Sequence, residues 1–257
     1  MVGLEAKPAA PAPDSARTVS SWSGKPREEA VQHMFTAIAR WYDLNNTVLS
    51  FGLHHRWKRA AVAEIPQIEG GKALDIGSGT ADLALLLAAR MGTRGLVAAS
   101  DLNEAMLREG QKKIAGRAPA QRIPCFLINA EAVSFPDDTF DAVTAGFCIR
   151  NVGNRMQAFR EIHRVLKPEG RFVCLEFSRP TRPWLCSLYD WYSFSLLPTI
   201  GTMVARDKTG VYEYLPASIR TFPDQEGLKA QLLDAGFRSV RYRNLTGGIV
   251  AVHVAIR

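Results

Sequence analysis

Asp75, Gly77, Gly79 and Thr80 sit in the run LDIGSGTADLA, where an apolar strand passes into a helix and backbone amides become available to a ligand. Glycine at such a turn lets the ligand approach the main chain closely. A dinucleotide fold would want G-x-G-x-x-G, but the third glycine position counted from Gly77 is Asp82, and a carboxylate facing a pyrophosphate is repulsive. The turn therefore suits a ligand without phosphate. S-adenosylmethionine meets that description, with an adenine, a ribose, an amino acid moiety and a sulfonium cation. Asp101 closes the next strand in SDLN, 26 residues after Asp75, where its carboxylate can accept both ribose hydroxyl hydrogens. Asn129, Ala130 and Glu131 end a third strand and can address an adenine edge through a side-chain amide or a backbone N–H. Taken singly, the glycines could serve only a tight turn and Asp101 only the helix that follows Asn103. Three strand ends converging on one crevice argue for the ligand.

A second constellation lies on either side of this motif. The segment ARWYDLNNTVLSFGLHHRWKR interleaves Tyr42, Asp43, Asn45, Asn46, His54, His55 and Arg56 with Trp41, Phe51 and Trp57, a mixture suited to a pocket wall or to a surface helix pair. GFCIRNV puts Arg150 and Asn151 at a carboxyl strand end, the edge where open parallel sheets bind ligands; a structural ion pair is the competing role for Arg150. Further on, Tyr189, Trp191, Tyr192, Phe194, Leu196 and Leu197, then Tyr212 and Tyr214, could line an apolar tunnel or simply pack a lid.

Positioning these groups requires short buried strands alternating with helices. The strands read KALDIG, GLVAASD, CFLINA, FDAVTAGF and RFVCLEF, with helices expected over about 81–91, 104–114 and 155–166. A helix over 225–233 then leads to two closing strands, FRSVRYRNL and GGIVAVHVAI, joined by a hairpin turn at 246–248. The expected fold is an α/β Rossmann-like sheet of seven strands, mostly parallel with the last antiparallel. Ahead of it, Val31, Met34, Phe35, Ile38 and Trp41 recur at helical spacing, and a short helix is expected over about 55–64. Residues 1–26, rich in Ala, Pro and Ser, read as a disordered leader. Residues 27–257 read as one domain: a helical lid over 27–70, a core over 71–181, a helical insertion over 182–222, and a closing helix and hairpin over 223–257.

The chain has 257 residues and 47% hydrophobic content, enough for one substantial core and incompatible with a disordered protein. Its net charge of +7 favours anionic partners, whether nucleic acid, a phospholipid surface or an acidic ligand. Four cysteines are too few and too scattered for a disulfide framework or a metal knuckle, so reduced, buried thiols are expected. No run reaches the ~20 apolar residues of a spanning helix. Glu5, Asp14 and the prolines of the leader argue against a transit peptide, and an organelle signal stays open.

The stretches FTAIARWYDLNNTVLSFGLHHRWKR, LDIGSGTADLA, AEAVSFPDDTFD, FCIRNV, RVLKPEGRFVCLEFSRP, YEYLPASIRTFP and LTGGIVAVH together resemble the quinone C-methyltransferases that act on demethylmenaquinol and on a ubiquinone precursor. The similarity extends from about Val31 to Ile256. It implies a class I S-adenosylmethionine-dependent methyltransferase in quinone biosynthesis, with cofactor contacts at Thr80, Asp101, Asn129, Ala130 and Gly146. Two positions depart from the family pattern: Ala81 stands where relatives usually have the second glycine of G-T-G, adding a methyl group near the methionine moiety, and Gly146 where they often carry Ser. The implied reaction moves a methyl from sulfur to a ring carbon that is weakly nucleophilic until a neighbouring hydroxyl, with a pKa of ~10, loses its proton. Arg150 is then expected to stabilise the phenolate and Tyr42 to orient it or the substrate, with Asp43, His54 or a water relay as base. His253 is expected to be structural. No metal is expected, because the histidines lack ligand spacing.

The implied partners are a lipophilic quinol and an anionic membrane surface, with the enzyme cytoplasmic and peripherally bound to the inner face; a homodimer or a biosynthetic complex stays open. A nucleic-acid methyltransferase would need an appended module or an N-P-P-Y-like loop, and the chain has neither. Methylation of another small aromatic, and a non-catalytic scaffold role, are the remaining alternatives.

Overall fold

The computed structural model describes residues 25–117, 123–196 and 211–257. The leader lies outside these residues apart from its last two, which open a helix. Leu197 also lies outside, as do the side chains of Phe194, Leu196 and Tyr212 in the aromatic insertion.

Among the described residues three helices precede the sheet: α1 Lys25–Ile38, then, after a 3-10 turn at Ala39–Trp41, α2 Tyr42–Leu49 and α3 Leu53–Val62. The core continues as β1 Lys72–Ile76, α4 Asp82–Met91, β2 Leu96–Asp101, α5 Glu104–Arg117, β3 Cys125–Leu127 and β4 Phe140–Gly146. Next come α6 Arg155–Val165, β5 Leu166–Phe177, α7 Pro183–Trp191, a π-turn at Tyr192–Leu196, α8 Val211–Thr221, α9 Gln225–Asp234, β6 Ser239–Leu245 and β7 Val250–Ile256.

The sheet order is β3-β2-β1-β4-β5-β7-β6, with β7 antiparallel to both its neighbours and the other pairs parallel. Chain order reverses between β1 and β4, so their carboxyl ends open the crevice in which sheets of this kind bind ligands. Strand β1 is buried on both faces after Lys72, as a central parallel strand must be. On one face of the sheet Ala61, Val62, Leu87 and Met91 of α3 and α4 join the core; on the other Phe159, Ile162, Leu228 and Leu232 of α6 and α9 do so. A small third cluster joins Val31, Met34 and Ile38 of α1 to Tyr214 of α8, tying the lid to the insertion.

The helices ahead of the sheet differ from expectation in two ways. The helix expected from His55 begins at Leu53, because Phe51 and Gly52 adopt positive φ (50° and 74°) and turn the chain sharply out of α2. Helix α2 itself has no separate counterpart in the sequence reading. The hairpin turn at 246–248 is a 3-10 turn with Gly247 and Gly248 at φ 67° and 94°. All four cysteines are free, but only Cys174 is fully buried; Cys125, Cys148 and Cys186 are half-buried. No described helix is long and apolar enough to cross a membrane.

Candidate active site

The crevice at the β1/β4 reversal is roofed by α1 and Tyr42 and floored by the turns after β1, β2 and β4. It holds about 1080 Å³ of empty space, its open mouth included. Asp75, Gly77, Gly79, Thr80, Asp101, Asn129, Ala130 and Gly146 all line it, so the structure brings every sequence-selected cofactor residue to one place. Gly77 has φ +63°, and a Cβ there would collide with the Cys148 side chain. Gly79, at φ +54°, donates its N–H to Asp101 Oδ2 at 2.8 Å, while Asn103 N–H reaches Asp101 Oδ1 at 2.8 Å. Each carboxylate oxygen keeps a lone pair for a ribose hydroxyl. Asn103 also caps α5 by accepting from Met106 N–H, so capping and ligand roles are shared between neighbours.

Asp75 supplies the clearest sign of a missing ligand group. Thr144 Oγ1 donates to its Oδ1 at 2.7 Å, but the buried Oδ2 has no hydrogen-bond partner among the described residues. An acceptor left in this state is costly and fits an incoming ammonium, as the methionine end of S-adenosylmethionine carries. Burial pushes the Asp75 carboxyl up to about 6, against the pull of the Thr144 hydroxyl. A cation bound beside it favours the ionised form, so donor binding must release a proton below that pKa. Donor affinity measured by calorimetry is therefore expected to rise between pH 5 and 7, and Asp75→Asn to flatten that slope.

Ala81 does not do what its sequence position suggests. It has φ +66°, a left-handed conformation that costs a β-carbon ~1–2 kcal/mol. Its methyl is buried and packs against α5 at Gly110, rather than lining the crevice beside the methionine moiety. Ala81→Gly is expected to stabilise the chain by about 1 kcal/mol, less the added chain entropy, with donor affinity unchanged, as read from urea unfolding. At Gly146 a Cβ would come within 2.5 Å of Leu83 Cδ1, so a hydroxylated side chain needs Leu83 to move.

Asp43 and His54 stand apart from the crevice wall. Asp43 Oδ1 accepts from Thr80 Oγ1 at 2.6 Å, and its other oxygen pairs with Lys113. Lys113 in turn bonds Asp82 at 2.8 Å, and Asp82 bonds Lys58 at 2.8 Å, a chain of charges that latches α2 to the glycine turn. The two ammonium groups hold the Asp82 carboxyl well below the usual range despite its burial. His54 is buried, contacts Thr47 Oγ1 at 3.1 Å, and is lowered to about 4 by burial with help from Lys58 and His55. Ligand atoms of His54, His55 and Asp82 approach within 4.8 Å of one another, but both Asp82 oxygens are already held by lysines.

Arg150 is buried in an ion pair: Nη1 donates to Glu176 Oε1 at 2.7 Å and to the Phe147 carbonyl at 2.6 Å, and the guanidinium lies 5.4 Å from the Phe177 ring centre. The structural role anticipated as the alternative is thus present. Burial opposes its charge, but Glu176 together with the Tyr42 and Tyr214 hydroxyls raises its pKa further. Tyr189 also lies in its field, although burial pushes that phenol up to about 12. Tyr42 is likewise raised by burial, against the pull of Lys58. Tyr214 Oη meets Asn151 Oδ1 at 3.1 Å, and Asn151 reaches the crevice wall. Beyond it a second cavity opens between β5, α7 and α8, with Ser178, Tyr189, Ser193 and Ile219 in its wall. His253 is buried and bonds the Gln225 carbonyl at 2.9 Å, a packing role far along β7.

Sequence reasoning missed Glu176, Lys58 and Gln32. Glu176 was detectable as the lone acid in the apolar run RFVCLEF, one strand from Arg150. Gln32 left no signal: its carbonyl and side chain hold Asn103 Nδ2 at 3.0 Å each, anchoring α1 to the turn after β2.

A model of the ubiE/COQ5 methyltransferase family matches residues 24–257. Among curated proteins, the chain is 45% identical over 227 residues, 88% of its length and 90% of the relative's, to the ubiquinone/menaquinone biosynthesis C-methyltransferase UbiE of Pectobacterium atrosepticum. It is 42% identical over 231 residues to the protein of the same name from Francisella philomiragia, covering 90% and 92% of the two chains. Solved structures share the fold at lower identity. An S-adenosylmethionine-dependent methyltransferase from Thermotoga maritima superposes at a TM-score of 0.61, 17% identical over 87% of this chain and 98% of that one. The [4+2]-cyclase SpnF gives 0.64 at 16% identity, with 88% and 94% covered.

Proposed function

The chain belongs to the ubiE/COQ5 methyltransferase family, and from that membership we propose that it methylates a ring carbon of a polyprenylated quinol in respiratory quinone biosynthesis. S-adenosylmethionine, when bound, supplies the electrophilic methyl group. The acceptor is demethylmenaquinol, 2-methoxy-6-polyprenyl-1,4-benzoquinol, or both. Asp75 and Asp101 would hold the donor's ammonium and ribose, Gly77, Gly79 and Thr80 the methionine moiety, and Asn129 and Ala130 the adenine, with Gly146 beside them.

The observation that carries the reading is the position of Arg150 next to the crevice with three tyrosine hydroxyls in its field. A fourth phenol, the substrate's, would feel the same positive charge, which lowers the cost of forming the phenolate. Glu176 neutralises part of that charge and fixes its direction. Tyr42, in the crevice wall, orients the ring. Asp43 is committed to the lid latch and His54 is set back from the crevice, so the proton passes to water rather than to either of them. The insertion over 182–222 and the cavity beneath it would take the apolar tail, and the lid over 27–70 closes on the donor.

Because the tail resides in a bilayer, the enzyme would work peripherally at an anionic membrane, from the cytoplasmic side. The test is mass analysis of quinones from a host lacking its own methyltransferase and expressing this chain. Restored methylated quinone is expected. Persistence of both demethyl precursors, with the protein folded and binding donor, would overturn the assignment and favour a scaffold role.

A further inference from the structure

We propose that helices α2 and α7 together form a bilayer-docking face, through which the protein dips apolar side chains into a membrane carrying anionic headgroups. The proposal deepens the quinol reading above and rests on it for the partner. Leu44 and Val48, four residues apart, share one face of α2, with Trp41 in the 3-10 turn before it and Phe51 in the turn after it. All four are exposed, Phe51 most of all at 79%. Trp184, Leu188 and Trp191 repeat the pattern on α7, exposed at 61%, 51% and 56%.

The two stripes are joined. Phe51 packs against Tyr192, the residue after Trp191, with ring centres 6.1 Å apart, and Tyr192 Oη donates to the Leu49 carbonyl at 2.7 Å. The opposite face of α2 carries Tyr42 into the crevice and Asp43 onto Thr80, so the outward face is left without a partner among the described residues. Soluble monomers seldom expose a continuous apolar surface of this kind.

Charge selects the partner. Arg40, Arg56, Arg59 and Arg182 are exposed on the flanks of the two stripes. The acids in the same segments are Asp43 and Asp190, and each is already paired, with Lys113 and Arg220 respectively. An apolar face of Trp, Leu and Phe edged by arginines and free of unpaired acids is the composition that lies in the interfacial zone of an anionic bilayer. Tyr42 on the same helix lines the crevice, so docking this face would set bilayer and crevice on two sides of α2 and give a lipid-soluble ring a short path between them.

The experiment is flotation of the purified full chain with vesicles of phosphatidylcholine, with and without phosphatidylglycerol, for the wild type and for Leu44→Glu/Phe51→Glu and Trp184→Glu/Leu188→Glu. Melting temperature and donor affinity report that each variant is folded. Wild-type binding to the anionic vesicles, falling at least tenfold in both double variants, is the expected result. Equal binding by variants and wild type would overturn this face while leaving peripheral association intact. A wild type that floats with neither vesicle, yet restores quinone methylation in the deficient host, would overturn docking but not the activity. Conversion of a dimer to a monomer by the substitutions, without lipid, would show that a second copy covers the face and would also overturn the proposal.

Discussion

Asp101→Ala is expected to weaken S-adenosylmethionine binding at least a hundredfold. The carboxylate is the acceptor for two crevice amides, Gly79 N–H and Asn103 N–H, each at 2.8 Å, and it is the acidic group at the end of β2. Burial raises its pKa, opposed by those same amides. Hydrogen bonds to a charged acceptor are worth ~1.5–3 kcal/mol each, so losing two ribose contacts alone approaches the stated factor. The free protein should also lose ~1–3 kcal/mol, because two donors lose their partner. Asp101→Asn separates the effects: it keeps one carbonyl oxygen for an amide, so stability recovers in part while donor affinity stays low. Calorimetric titration with urea unfolding reads both, and a donor Kd within tenfold of wild type in Asp101→Ala would move the ribose site elsewhere.

The second large effect is expected at Arg150 and Glu176. Both side chains are buried, at 6% and 1% exposure, so removing either leaves the other charged without its partner. Glu176→Ala and Arg150→Ala should each cost ~3–5 kcal/mol. Replacing the pair together, as Arg150→Met/Glu176→Leu, should restore most of that stability, since well-packed apolar pairs often match a buried ion pair. Turnover should not return, because the guanidinium charge is lost and the crevice-lining cation that remains, Lys58, is held by Asp82. Donor affinity should stay within a few-fold throughout, Arg150 being outside the crevice wall. If the double variant methylated quinol at the wild-type rate, Arg150 would be purely a fold element and the phenolate would need another source of charge.

Much of the sheet could be read from the chain because its strands are apolar runs ended by Asp, Gly or Asn, and parallel strands covered on both faces leave just that signature. The glycine turn and Asp101 were legible for the same reason: ligand contact in this architecture sits at strand ends, which local pattern marks. Helix α2 was not. It buries Asn45 and turns Tyr42 and Leu49 toward the α1 cluster while exposing Leu44 and Val48, so no polar face gives it an amphipathic pattern. Asp43 and His54 were selected by residue type, and type does not reveal partners such as Thr80 and Thr47, which chain folding brings to them. Glu176 stood out as a lone acid in an apolar strand, but its pairing with Arg150 was not legible, because 26 residues of chain separate the two.

The bond from Thr80 to Asp43 has a kinetic corollary. With Glu28, Gln32, Phe35 and Tyr42 overhead, a latched α2 would cover S-adenosylmethionine in the proposed site from the α1 side. Its exchange would then need the latch to open, and the spent sulfide would wait for that opening after the methylated quinol has gone. Compulsory-order turnover follows, nucleoside first on and last off, with solvent viscosity rather than isotope substitution at the methyl group slowing the steady state.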